Sequence, residues 1–148
     1  MLIGANEAAV HTLLPLMARF REKVPDITID VRRVPARQIA LEVQQGSLDF
    51  GALTFRPSES GLLEIVVGND ELVLLVPPTH AFAKKKQVTM EEVAGEPVVA
   101  HNDPSPARER VLRLFEERHI ALNMVIHLPS LDGIKRAVEL KIGVALRT

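Results

Sequence analysis

The sequence contains no cysteine, which excludes a disulfide framework, a thiol nucleophile and a cysteine-ligated metal centre. It also has no excess of either charge: 18 lysines and arginines stand against 19 aspartates and glutamates, a formal net charge of −1. That balance supplies no long-range field to attract a phosphate backbone, so direct contact with nucleic acid is not expected of this chain. Apolar runs are short and broken by charge or proline, and none approaches the ~18 residues that a bilayer span requires. The opening Met1-Leu2-Ile3-Gly4-Ala5-Asn6-Glu7 has no basic residue before its apolar stretch and meets an acid at once. A secretory signal looks different, which makes the cytoplasm the expected compartment. No fixed period suggests repeats.

Catalytic and metal chemistry are equally poorly provided for. The histidines His11, His80, His101, His119 and His127 show no paired ligand spacing such as two on one helix face, so no metal and no cofactor are expected. Ser47, Ser58, Ser60, Ser105 and Ser130 stand in no nucleophile-elbow context, and no catalytic residue is assigned.

What is present is a chain of 148 residues, 47% of them hydrophobic, able to bury roughly 70% of the surface its unfolded form exposes. Its apolar residues fall into an alternating pattern. Met1 to Ala5 reads as a strand, and Asn6 as the cap of a helix with the stripe Val10, Leu13, Leu14, Met17 and Phe20. Pro15 is expected to start or kink that helix, and Pro25 to end it. Ile27, Ile29 and Val31 alternate with polar residues as a half-buried strand does. A short helix from Ala36 closes at Gly46, where a left-handed residue is wanted, and Leu48 to Leu53 forms the next strand.

Two further strands, Leu62 to Val67 and Leu72 to Val76, are separated by the turn residues Gly68-Asn69-Asp70-Glu71. Pro77-Pro78 then fixes an extended backbone and marks a lobe boundary or hinge. Thr89 and Glu92 have capping-box spacing, Pro97 to Ala100 is a strand, and Ser105-Pro106 opens an amphipathic helix. Leu122 to Leu128 is a strand, Ser130 caps a helix containing Ile134, Ala137 and Val138, and Gly143 to Leu146 begins a last strand.

Strand alternating with helix implies parallel sheets covered on both faces, with ligands beyond the carboxyl ends of the strands. Loops there lead into helix N-termini, whose amide donors suit a carboxylate or phosphate. The candidate ligand-binding residues are therefore Asn6 and Glu7, Thr54 and Phe55, His101, Asn102 and Ser105, and Ser130.

Taken in order, Leu2-Ile3-Gly4-Ala5, Leu13-Leu14-Pro15, Phe20-Arg21, Pro25-Asp26, Gly46-Ser47-Leu48-Asp49-Phe50-Gly51, Leu72-Val73-Leu74-Leu75-Val76-Pro77-Pro78 with His80, Ile134-Lys135, Val138-Glu139 and Gly143-Val144-Ala145 resemble the effector domain of LysR-type regulators along the whole chain. The resemblance implies an α/β fold similar to type 2 periplasmic binding proteins, with two small Rossmann-like lobes around a cleft. Lobe one, incomplete, would take residues 1–76, the hinge 77–88 and lobe two 89–148. It further implies a fragment that lacks the winged helix-turn-helix and the return to lobe one.

A small, anionic effector bound between the lobes is then the expected partner, with DNA reached only through the helix-turn-helix of a longer protein, and a homodimer the expected assembly. The alternative of the same fold is a solute-binding protein of a transport system. The sequence departs from the family at two places. Asn6-Glu7-Ala8-Ala9 stands where a serine or threonine is frequent, and Lys141 stands where glycine is common, at a helix end that favours a left-handed residue at a cost of order 1 kcal/mol.

Overall fold

A computed structural model describes residues 1–69, 71–102 and 104–147. The apolar run at the start becomes β1 (Leu2–Ala5), flanked by β2 (Asp30–Arg33) and β3 (Phe50–Ala52) in a parallel sheet of order β2-β1-β3. Helices α1 (Glu7–Lys23) and α2 (Ala36–Gln44) make the crossovers. Parallel strands demand such crossovers, and the pattern of local apolar periods supplied them.

Helix α1 runs unbroken through Pro15. The helix buries Ala9 and half-buries Val10, Leu13, Met17 and Phe20, whereas Leu14 is 52% exposed and leaves the expected stripe. Strand β2 starts at Asp30 rather than near Ile27, which is exposed; the residue that locks this strand end into the core is Val34. Helix α2 lays Ile39 on Val34 and Leu48 and closes as expected: Gly46 has φ 74° and its N–H bonds the Val43 carbonyl at 3.1 Å.

The expected strand Leu62 to Val67 does not form. Its backbone pairs with no strand among the described residues, and Leu63, Ile65 and Val66 are 91%, 75% and 85% exposed. High β-propensity alone makes no strand without a neighbour to complete the ladder. Asp70, in the turn expected after it, lies outside the described residues.

The chain forms two compact units, Met1–Asp70 and Glu71–Thr148. This places the break ahead of the expected one at Val76/Pro77, because β4 (Val73–Leu75) pairs with β7 (Ala145–Arg147) of the second unit. That pairing is antiparallel, so the second sheet is mixed rather than purely parallel. Strands β5 (Pro97–His101) and β6 (Asn123–Leu128) pair in parallel, and a parallel bridge from Val98 to Val144 joins the two pairs in the order β4-β7-β5-β6.

Successive residues of β5 point to opposite faces, and the core divides accordingly. Val98 packs with Val93 of α3 (Met90–Ala94) and Phe115 of α4 (Pro106–Glu117), while Val99 packs with Ile134, Ala137 and Val138 of α5 (Leu131–Glu139). The capping box at α3 is complete: the Thr89 hydroxyl accepts from the Glu92 N–H and the Glu92 carboxylate accepts from the Thr89 N–H. Lys85 also bonds that carboxylate, and this contact, with the Thr89 amide, holds Glu92 below the usual carboxylate range.

Candidate functional site

The strand-to-helix junctions carry the candidate residues, and each is built by a local cap. At the end of β1, the Asn6 Oδ1 accepts from the Ala9 N–H at 2.9 Å. Beyond β5, the Ser105 Oγ accepts from the Arg108 N–H at 3.2 Å. Beyond β6, the Ser130 Oγ accepts from the Gly133 N–H at 3.1 Å. A capping hydroxyl uses a lone pair and keeps its hydrogen, so Ser105 and Ser130 each retain the capacity to donate one hydrogen bond while capping. Helix α4 begins with Pro106, which has no N–H, so its first turn presents fewer amides than that of α5.

Sheet register brings these residues into two groups. In the first unit Ala5 pairs with Ala52, which sets Asn6 and Glu7 beside the chain leaving β3, where Thr54 is exposed and Phe55 half-buried. One carboxylate oxygen of Glu7 is buried, so an acid does occupy the first turn of α1, where its charge complements the helix dipole. In the second unit His101 pairs with Leu128, and the Asn102 N–H continues the ladder to the Leu128 carbonyl at 2.9 Å. His101 and Asn102 therefore sit next to the β6 end that leads to Ser130. Asp103, in the loop toward Ser105, lies outside the described residues.

Acidic side chains punctuate the same helix starts. Asp132 stands in the first turn of α5 and is paired with Lys135 at 3.6 Å; Glu109 stands in the first turn of α4. The arrangement provides hydrogen-bond donors from caps and helix starts for a small polar ligand, and it contains no nucleophile activated by a neighbouring base among the described candidates. No group of three His, Asp or Glu residues capable of holding a metal occurs among the described residues, and no described helix is long and apolar enough to cross a membrane.

A second cluster escaped the sequence reading. His80, Glu96 and Lys141 line a cavity at the opposite end of the second sheet, and only Lys141 carried a local signal, its place at a helix end where glycine is favoured.

Residues 2–147 match the family described as LysR substrate binding domain. The chain is 31% identical over 152 residues to the "Probable RuBisCO transcriptional regulator" of Cyanidioschyzon merolae (strain NIES-3377 / 10D), covering 98% of this chain and 50% of that protein. Among solved structures it resembles the Synechocystis PCC6803 CcmR regulatory domain in complex with 2-PG, with a TM-score of 0.85 at 20% identity, over 99% of this chain and 70% of that one. It likewise resembles the BenM effector binding domain with its effector benzoate, with a TM-score of 0.83 at 18% identity, over 99% of this chain and 68% of that one. The chain spans about half the length of the curated relatives it matches. Two units of alternating strand and helix, polar caps at the carboxyl ends of their strands, and a family match over nearly every residue lead to one conclusion: this chain belongs to the LysR substrate-binding-domain family.

Proposed function

We propose that this chain is the effector-sensing part of a transcriptional regulator and that its ligand is a small anionic metabolite. The observation that carries this reading is the family match over residues 2–147, joined to the polar helix caps at Asn6, Ser105 and Ser130. In this reading Asn6, Glu7, Thr54, Phe55, His101, Asn102, Ser105 and Ser130 contact the ligand, and Pro77-Pro78 stiffens the chain just after β4. The protein acts by binding rather than by catalysis, works in the cytoplasm, and reaches DNA through a part of a longer protein. The relatives named as transcriptional regulators support that role.

A thermal-shift screen of the chain against 2-PG, benzoate and a panel of other small carboxylates tests it. A ligand that binds only the folded state stabilises by about 2.7 kcal/mol at a hundred times its Kd, which for a domain of this size raises Tm by roughly 5–10 °C. A saturable rise with at least one acid is expected; a flat response across the whole panel overturns the reading.

Self-association belongs to the same proposal. The row Leu63, Ile65 and Val66 presents exposed apolar side chains on a segment that pairs with no strand among the described residues, and such an apolar patch is a feature through which chains add to one another. Light scattering at rising concentration is expected to show a mass of two chains or more. The mass of a single chain throughout the range counts against it.

A further inference from the structure

Helix α5 is closed just beyond its end by a residue in the left-handed region. Lys141 has φ 61°; its N–H bonds the Val138 carbonyl at 2.9 Å and the Ile142 N–H bonds the Ala137 carbonyl at 3.0 Å. This closure places one residue in the left-handed region, which glycine enters without steric cost. Helix α2 closes by the same pattern and does use glycine, Gly46, with the Ser47 N–H on the Glu42 carbonyl at 2.9 Å. Helix α4 closes by the same pattern on His119, with φ 55° and with the His119 N–H on the Glu116 carbonyl and the Ile120 N–H on the Phe115 carbonyl, both at 2.9 Å. A side chain at this position is therefore not peculiar to α5, and what Lys141 contributes follows from what it lines.

Lys141, itself exposed, lines an open pocket of about 340 Å³ with Thr79, His80, Glu96, Pro77 and Val144, a volume at the small end of ligand sites. The cavity lies by the amino ends of β5 and β7, away from the carboxyl ends that carry His101 and Ser130. Its polar groups are held in place. His80 Nδ1 accepts from the Phe82 N–H at 3.2 Å, which puts the ring proton on Nε2, and Nε2 faces Glu96 Oε2 at 3.5 Å. The Phe82 ring meets the imidazole edge-on at 4.8 Å. Lys141 makes no ion pair among the described residues.

One carboxylate, one ammonium with no ion pair among the described residues, and an imidazole N–H donor give a lining with charges of opposite sign set apart. A simple anion meets Glu96, and a simple cation meets Lys141. A molecule carrying both charges on adjacent carbons satisfies both, with Thr79 as a further donor and Val144 and Pro77 as apolar wall. We propose that this cavity is a binding site for a small zwitterionic α-amino acid, its ammonium on Glu96 and its carboxylate on Lys141.

The test titrates the whole chain, labelled for amide NMR, with each of the twenty common amino acids, and with propionate and ethylamine as single-charge comparators. At least one amino acid is expected to give saturable shifts centred on His80, Glu96 and Lys141, with propionate and ethylamine at least tenfold weaker. Lys141→Gly is expected to weaken that binding tenfold or more while raising Tm, because glycine relieves the left-handed residue; Glu96→Gln is expected to weaken it with the helix end unchanged. The proposal is overturned if no amino acid moves those signals, if propionate binds as tightly as the amino acid, or if Lys141→Gly binds as the unaltered chain does.

Discussion

Gly143→Ala is expected to destabilise the protein by about 3 kcal/mol and to lower Tm by roughly 6–12 °C. A Cβ on Gly143 runs into the carbonyl carbon and oxygen of Pro97. That carbonyl accepts the Val144 N–H at 2.8 Å, while the Val99 N–H bonds the Val144 carbonyl at 2.8 Å. These two bonds join β7 to β5, and with them the β4-β7 pair to the β5-β6 pair. The obstruction is backbone against backbone, so no rotamer change relieves it; either the ladder opens or the strand shifts. Gly4→Ala offers the contrast, since its Cβ meets the far end of the Leu48 side chain, which can swing aside. The chain has neither tryptophan nor tyrosine, so far-UV circular dichroism is the suitable probe of melting. A Gly143→Ala variant that melts within a degree of the unaltered chain contradicts this account of the second sheet.

The same glycine shows where the sequence was legible and where it was not. Interactions that span three to five residues could be read directly: Asn6, Ser105 and Ser130 as caps, the Thr89 and Glu92 box, and Gly46 as the closure of α2. Each rests on a local geometry that residue type alone nearly determines. Long-range pairing could not be read so. Strand β4 looked like the close of the first lobe because its neighbours in sequence lie there, yet its partner is β7, far along the chain. Leu62 to Val67 has the composition of a strand, but the described residues supply no partner for it. The candidate site divides in the same way. Its caps were visible, whereas the register that sets Thr54 beside Asn6 and His101 beside Ser130 comes from the sheets. The meeting of His80 with Glu96 across 3.5 Å follows from tertiary packing, for which no spacing rule exists.

Ile39→Ala tests the support beneath the first unit's candidate residues, and its expected cost is about 4 kcal/mol. Ile39 is 0% exposed and packs against Val34 and Leu48, with Leu2, Val43 and Leu53 around them. Its Cγ2 occupies the space above Gly51, where a Cβ would otherwise stand; the missing side chain on β3 and the branched one on α2 fit as a pair. Removing three carbons there leaves a void that β3 cannot fill from its own side, because Gly51 has nothing to extend. Against a typical total stability of about 5–15 kcal/mol, the loss is large. Leu41, two residues along the same helix and 48% exposed, is the control, and Leu41→Ala is expected to stay within about 0.5 kcal/mol. Urea unfolding followed by circular dichroism separates the two variants, and hydrogen exchange locates the effect: amides of β1 and β3 should lose protection in Ile39→Ala. Those strands lead into Asn6 and Thr54, so the variant should also weaken any ligand held there more than Leu41→Ala does. Equal midpoints for the two variants would mean that α2 does not hold the sheet through Ile39.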